Sequence, residues 1–470
     1  MTCKADLSVG PTVNTYMIDK QTILTKISTE KALLEAWKLL NKANKTSKGL
    51  SNISIKDFEG NLKVHIAEIS KSLLSKTYKF SKVKGVTILK KDGKPRPLRV
   101  PEIKDRLVHK VLAIAFEKLL TPKYELNNKC SFAYQSGKGI IDAIAQMIIY
   151  YREGYRIILE ADIVRFFPSV DSVSLIEKIK RALPDDSVND LFEKAMNQEL
   201  GNIAELKNRK VYEEHFLSSE LGIPQGNALS PLLANICLSE FDQRMIKENI
   251  RMVRYADDFI ILCKDKNEAN KAYQIALEEL EEKLKLKVYP LESTENVSAK
   301  CSRIIDPRGV RFSFLSVQFD GVRCWVSQTK FDSLIEKLKD ICKKEEGING
   351  FQEEIGLLQS LIKMKNLLEG WIAAYYFLDI GKQVEEIDKH VNIELYNLFE
   401  CFNFSLKADG IQKITLKDRS NTKRGLSDVQ RKFVGVPLCK STLEKIRSKK
   451  DSLETLIQTK RIIFERDLIN

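Results

Sequence analysis

The apolar positions of this chain change period several times along its length, and each change marks an element. From Glu30 to Asn41, Leu33, Leu34, Trp37 and Leu40 recur at helical spacing. Asn44 to Asn52 is polar with a glycine and reads as a loop, and Ile53 to Leu74 reads as a helix. Val83 to Leu89 predicts a strand, turned by Lys91-Asp92-Gly93 into a second strand at Leu98–Val100. Helical spacing returns from Ile103 to Leu120. Tyr155 to Val164 is a compact, Ile-rich run ending around Asp162, the pattern of a buried strand. A helix is expected over Leu229–Ile246, begun by Ser230-Pro231 with proline at its favoured first position. Arg251 to Cys263 is apolar except for Tyr255-Ala256-Asp257-Asp258 at its centre, which predicts a β-hairpin turned there. Glu268 to Leu286 is an amphipathic helix, and Gly309 to Val326 predicts a further hairpin turned at Asp320-Gly321. Beyond Thr329 the pattern is helical to about Phe399. Residues 1–20 are irregular, residues 401–470 are weakly patterned, and no internal repeat is present.

Composition sharpens this picture. A chain of 470 residues exceeds one ordinary core and points to two or three domains. A hydrophobic share of 43% excludes a disordered tail. The net charge of +13 is unevenly spread: Lys71 to Lys110 holds thirteen Lys/Arg against three Asp/Glu, and Lys407 to Lys450 thirteen against four. Two local basic surfaces favour a polyanionic partner, although the same lysines also serve solubility. The nine cysteines are scattered with no C-x-x-C pair, which argues against a zinc ribbon or redox motif and fits a reducing cytoplasm. No secretory leader is visible, and no apolar run approaches the ~18 residues of a membrane span, so a cytoplasmic protein is expected.

Chemistry enters at the acidic centre of the 251–263 segment. Asp257 and Asp258 are adjacent carboxylates in an apolar setting, where they repel one another and desolvate at a cost. A bound cation relieves that cost, while Asp is also common in plain hairpin turns. Asp162 lies 95 residues upstream, again at the end of an apolar strand. Carboxylates brought together from two such strands make a hard oxygen site suited to Mg2+. Paired Mg2+ ions activate a 3′-hydroxyl and stabilise a leaving pyrophosphate, and phosphoryl transfer needs that alignment and charge neutralisation above all.

Tyr255-Ala256-Asp257-Asp258 resembles the Y-x-D-D box of reverse transcriptases. Gly222-Ile223-Pro224-Gln225-Gly226-Asn227-Ala228-Leu229-Ser230-Pro231 is similar to their G-x-P-Q-G-x-x-x-S-P motif, and Asp162-Ile163-Val164-Arg165-Phe166-Phe167 to their first palm motif. All three occur in the family's order. Lys90 to Leu98 resembles the fingers segment of group II intron-type enzymes. Ser131-Phe132-Ala133-Tyr134-Gln135-Ser136-Gly137 resembles their S-x-G-F-R-P-G segment, with Gln135 in place of arginine. Phe314 to Phe319 resembles their F-L-G-x-x-F primer grip, with Ser316 in place of glycine. Gly370 to Tyr376 resembles their thumb helix. Asn227-Ala228 departs from their usual G-G-P-L-S-P continuation.

The resemblance implies an α+β right-hand polymerase. Residues 1–125 would be an N-terminal extension and fingers, 126–325 the palm with fingers insertions, 326–400 a helical thumb and 401–470 a basic extension. It implies an RNA-directed DNA polymerase with two Mg2+ ions, Mn2+ able to stand in, held by Asp162, Asp257, Asp258 and the backbone carbonyl of Ile163. Lys90 and Arg96 would hold the incoming triphosphate. Gln225 and Gly226 would line the nucleotide pocket, through an amide and a close backbone approach. Phe167 stands at the family's steric gate against the ribose 2′-hydroxyl, with Phe166 its competitor. Lys300 sits about where the family carries a lysine near the pyrophosphate; a solvated lysine is the plain alternative.

No HNH or paired-cysteine endonuclease, ribonuclease H carboxylate set or retron box is recognisable in the sequence. The expected partners are therefore dNTPs, an RNA–DNA hybrid and an RNA template, read as a structured noncoding RNA used in freestanding, defence-associated enzymes of this kind. No membrane partner is expected, and the oligomeric state stays open. The alternatives are a group II intron maturase, and an RNA-binding scaffold with a vestigial polymerase site.

Overall fold

A computed structural model of the chain describes residues 21–42, 45–89, 95–216, 222–293, 300–342, 356–402, 404–407, 410–413 and 425–459. These form two compact units, one from residues 1–127 and 165–239, the other from 128–164 and 240–470. The fold is α+β.

The first unit is largely helical. Helix Glu30–Leu39 is capped by Thr29, whose side chain accepts from the Ala32 N–H. The helix expected over Ile53–Leu74 is two, Ile55–Gly60 and Leu62–Leu74. Glycine followed by asparagine, both poor helix formers, interrupts it at Asn61. Helix Ile103–Lys123 runs past its expected end and buries Leu107, Val108, Leu112, Phe116 and Leu120. Strands β1 (Lys84–Leu89) and β2 (Pro95–Val100) pair antiparallel from Lys84↔Val100 to Leu89↔Pro95. The tip expected to turn this hairpin, Lys91-Asp92-Gly93, lies outside the described residues, as does Lys90. The helix expected over Leu229–Ile246 breaks into Ser230–Cys237 and Ser239–Lys247, and at that break the chain passes into the second unit.

The second unit is built on an antiparallel sheet of order β4-β5-β3-β6, with β3 Ile157–Asp162, β4 Arg251–Tyr255, β5 Asp258–Cys263 and β6 Arg303–Ile305. Ile158, Leu159, Val253, Ile260, Ile261 and Leu262 are all buried, so the strands read as continuous apolar runs rather than alternating ones. Helices Ile140–Arg152 and Lys266–Leu277 pack against this sheet. The 309–326 segment holds three strands, not the two expected: β7 (Phe312–Phe314), β8 (Val317–Phe319) and β9 (Cys324–Val326). The additional turn sits on Leu315 and Ser316, with φ of 53° and 66°. Tight two-residue turns of this kind normally use Gly or Asn, so local propensity does not announce this one, and it is the likeness of Phe314 to Phe319 to a primer-grip hairpin that does.

Helices Gln328–Cys342, Leu357–Tyr375 and Gly381–Cys401 follow. Their buried faces join one core with the sheet residues Ile158 and Ile260. Leu426, Val436, Cys439, Leu443 and Ile457 belong to that same core, so the described residues beyond 425 are packed structure.

Candidate active site

The acidic centre sits where three strand ends meet. β4 and β5 are joined by the two residues Ala256 and Asp257, and Tyr255 pairs with Asp258. β5 also pairs with β3, and the last pair of that register is Asp162↔Asp258. Directly opposed residues share one face of a sheet at close Cβ spacing, so two carboxylates far apart in sequence become neighbours. Asp257 is the next residue, in the turn. The period of two places Glu160 on the same face as Asp162, and Arg303 of β6 pairs with Glu160 at 2.5 Å.

The electrostatics follow from this crowding. Burial of the surroundings first, then the charges of Asp162 and Asp257, push the Asp258 carboxyl up to about 7 against the opposing pull of Lys300. Asp258 keeps solvent access, so water screens part of the repulsion. Asp162 is half-buried. One of its oxygens, Oδ2, accepts from the Lys300 ammonium, while Oδ1 is buried with no hydrogen-bond partner. Partial burial works against the charge on Lys300, but the hydrogen bond and charge of Asp162, with Tyr289 and Asp258, outweigh it and hold its pKa above the ordinary value. The ring of Tyr289 lies 4.8 Å from the same ammonium.

These residues fit a hard divalent cation. Asp162 Oδ1 is an acceptor without a donor, and Asp258 faces two like charges. Among the described residues no three His, Cys, Asp or Glu side chains close into a ready-made cage. Mg2+ needs none, because it keeps several waters and takes one or two carboxylates plus substrate phosphates. The backbone here is pinned: the Tyr289 N–H donates to the Asp162 carbonyl at 3.1 Å and the Val164 N–H to the Lys287 carbonyl at 2.7 Å. Ile163, expected to offer its carbonyl, lies between those two bonds.

The other expected site residues belong to the first unit. Arg96 is exposed on β2, opposite Ile88. The Gly222–Gly226 loop is fixed at both ends. A Cβ on Gly222 would stand 2.4 Å from the Phe167 carbonyl oxygen, and the Ile223 N–H donates to that same oxygen at 2.9 Å. Gly226 has φ +108°, and a Cβ there would stand 2.4 Å from the Arg99 carbonyl oxygen. The Gln225 carbonyl accepts from the Arg99 N–H at 2.9 Å, which leaves the Gln225 side chain half-buried on the loop. Asn227, a departure from the group II pattern, is buried: its amide donates to the Ala195 carbonyl at 2.8 Å and its Oδ1 accepts from the Leu229 N–H at 3.0 Å. Phe166 is 2% exposed, whereas Phe167 is half-buried with its ring edge-on to Phe166 at 5.4 Å.

The structure therefore gathers Asp162, Asp257, Asp258 and Lys300 in the second unit, and Arg96, Phe167, Gln225 and Gly226 in the first. Sequence reading missed Glu160, Arg303, Asp242 and Arg254. Arg254 was detectable in principle, because a charged residue inside an apolar strand demands a buried partner.

Residues 88–297 match the family model described as reverse transcriptase (RNA-dependent DNA polymerase). The chain is 24% identical over 282 residues to Protein YkfC of Escherichia coli (strain K12), covering 52% of this chain and 71% of that protein. It is 29% identical over 218 residues to Group II intron-encoded protein LtrA of Lactococcus lactis subsp. cremoris, covering 46% of this chain and 34% of that one. The chain thus spans about a third of the length of LtrA. A solved structure titled a partial Cas6-RT-Cas1–Cas2 complex is 27% identical, with 56% of this chain and 42% of that chain covered at a TM-score of 0.32. With three ordered motifs, a family match across them and the carboxylates in register, residues 88–297 form an RNA-dependent DNA polymerase domain of the reverse-transcriptase type, similar to that of group II intron-encoded proteins.

Proposed function

We propose that this protein is a Mg2+-dependent cytoplasmic enzyme that adds deoxynucleotides to a 3′-end, or to a protein hydroxyl, as it copies a dedicated structured noncoding RNA in defence against phage. The register pair Asp162↔Asp258, with Asp257 beside it, carries the catalytic part of this reading. Bound divalent ions supply charge neutralisation at the attacking oxygen and the leaving pyrophosphate. Asp162, Asp257, Asp258 and the Ile163 carbonyl would hold them, with Mn2+ an acceptable substitute. Lys300, already charged beside Asp162, faces the pyrophosphate. Lys90 and Arg96 grip the triphosphate, Gln225 and Gly226 shape the nucleotide pocket, and Phe167 excludes the 2′-hydroxyl. The template role rests on the family resemblance alone. Primer extension on an RNA template, with and without Mg2+, tests the enzyme. Asp257→Ala and Asp258→Ala are expected to abolish synthesis while RNA binding and fold persist. Either variant extending at the parent rate removes the assignment and favours a binding scaffold.

Likeness to LtrA, a group II intron-encoded protein, supports a second reading as a maturase. Sequencing the RNA that co-purifies, together with plaque counts on cells carrying the active and Asp258→Ala genes, separates the two. Intron RNA and unchanged plaque counts favour the maturase. A short structured RNA and activity-dependent protection favour the defence enzyme.

A further inference from the structure

The turn that presents Asp257 and Asp258 has no glycine, yet Ala256 adopts φ +61°. A non-glycine residue in the left-handed region is strained and persists only where its surroundings hold it. The neighbouring strand residue supplies that hold. Arg254 is 1% exposed, and its guanidinium reaches forward to donate to the Ala256 carbonyl at 2.9 Å. The same group is gripped from behind: Nε donates to Asp242 Oδ1 at 2.7 Å, and Nη2 to Asp242 Oδ2 at 2.5 Å and to Ser131 Oγ at 2.8 Å. A buried guanidinium is tolerable only when paired in this way, and a planar fork held at several points cannot swing.

The backbone of Arg254 is held as well. Its N–H donates to the Cys130 carbonyl at 2.7 Å, and its carbonyl accepts from the Phe132 N–H at 3.0 Å. The outer edge of β4 is thereby closed beside the turn. Asn128 completes the support: its amide donates to Asp242 Oδ2 at 3.1 Å, and its Oδ1 accepts from the Ser131 N–H at 2.9 Å. Gln135, the residue that departs from the family's arginine, donates to Ser131 Oγ at 3.0 Å.

We propose that Arg254, clamped by Asp242 and Ser131, is a positioning residue that sets the Ala256 carbonyl, and with it the direction in which the following two carboxylates point. It touches neither substrate nor ion and acts through the turn. The inference rests on the polymerase reading above, and it predicts a particular kind of defect. With the clamp loosened, the carboxylates are present but mis-aimed, so divalent-ion affinity and the chemical step fall together while nucleotide and RNA binding stay. Two substitutions loosen it to different degrees. Arg254→Lys keeps the charge but loses the fork, whereas Ser131→Ala removes one hydrogen bond to the guanidinium and leaves the Asp242 pair intact.

Single-turnover incorporation by full-length protein on an RNA template, across a Mg2+ titration, provides the test. It is paired with Mn2+ affinity measured without substrate from water proton relaxation, and with thermal melting. Arg254→Lys is expected to slow incorporation at saturating dNTP by at least tenfold, to weaken Mn2+ binding severalfold, and to leave the dNTP KM and RNA affinity within about twofold. Ser131→Ala is expected to shift the same two quantities in the same direction by a smaller factor, and decides the matter should Arg254→Lys not fold. Parent-like rate and Mn2+ affinity in folded Arg254→Lys, or losses that follow only the melting temperature, overturn the proposal. An inactive parent protein overturns the polymerase reading instead, which keeps the two failures apart.

Discussion

At the residue scale, Asp258 is destabilised by its neighbours. Its carboxyl is raised to about 7 from the ordinary 3.8, so the metal-free folded protein binds a proton there that the unfolded chain has released. Folded stability is therefore fully present below about pH 4 for this group and declines as pH rises through 7. Asp258→Asn removes that decline. The metal-free variant is expected to melt a few degrees above the parent at pH 8 and alongside it at pH 4, with Mg2+ narrowing the pH 8 gap by stabilising the parent. An Asn variant that melts below the parent at pH 8 would show that these carboxylates do not repel. Two adjacent rings make a second residue-level contrast. Phe166 is buried and Phe167 is half-buried, so their truncations should read out differently. Phe167→Ala is expected to raise ribonucleotide use relative to deoxynucleotide by at least tenfold, about 1.4 kcal/mol of discrimination. Phe166→Ala is expected instead to cost roughly 3–5 kcal/mol of stability. Steady-state incorporation of matched dNTP and rNTP, with denaturant melts of both variants, checks the pair.

At the element scale, the Gly222–Gly226 loop shows why the family motif needs glycine at its ends. Both glycines lie against backbone carbonyls that cannot move as a flexible side chain would. Gly226 also sits at φ +108°, outside the range of other L-residues. Gly226→Ala must therefore push β2 and the loop apart at Arg99. The expected result is a loss of about 1–3 kcal/mol of stability and of at least tenfold in dNTP incorporation. Denaturant unfolding and kcat/KM for dNTP measure the two. Normal incorporation by a stably folded Gly226→Ala protein would exclude the close approach as a requirement of the pocket.

At the scale of the whole molecule, the residues after 425 stabilise the second unit. Arg431 is fully buried, forms an ion pair with Asp388 Oδ1 at 2.7 Å and donates to the Pro437 carbonyl at 2.6 Å. Truncation near residue 404 would remove that packing along with any grip on RNA. The basic surface is better tested by charge neutralisation at exposed Lys432, Lys445 and Lys449. Replacing all three with Gln is expected to leave the melting temperature near the parent value and to weaken RNA binding. The slope of log affinity against log salt should fall by about 0.7 for each single-strand phosphate that these lysines no longer neutralise. An unchanged affinity and slope would exclude these lysines from the RNA surface.

The sequence by itself carried the ordered motifs that resemble reverse transcriptases, with Asp162, Asp257 and Asp258 among them, and most elements, because motifs are short strings and elements rest on local rules. Apolar periods set the strands on either side of Asp162 and Asp257-Asp258, and the proline in Ser230-Pro231 starts its helix. The tertiary structure decided what depends on pairing across long separations. The register that places Asp162 opposite Asp258 is a long-range choice of hydrogen bonds that no local period specifies. The Arg254–Asp242–Ser131 clamp joins residues from three separate segments, and the Leu315-Ser316 turn overrides local propensity through its neighbours. The packing of residues 426–457 follows the same logic. Their sparse apolar positions read as a basic tail, and only the complementary faces of helices Gln328–Cys342, Leu357–Tyr375 and Gly381–Cys401 make burying them favourable.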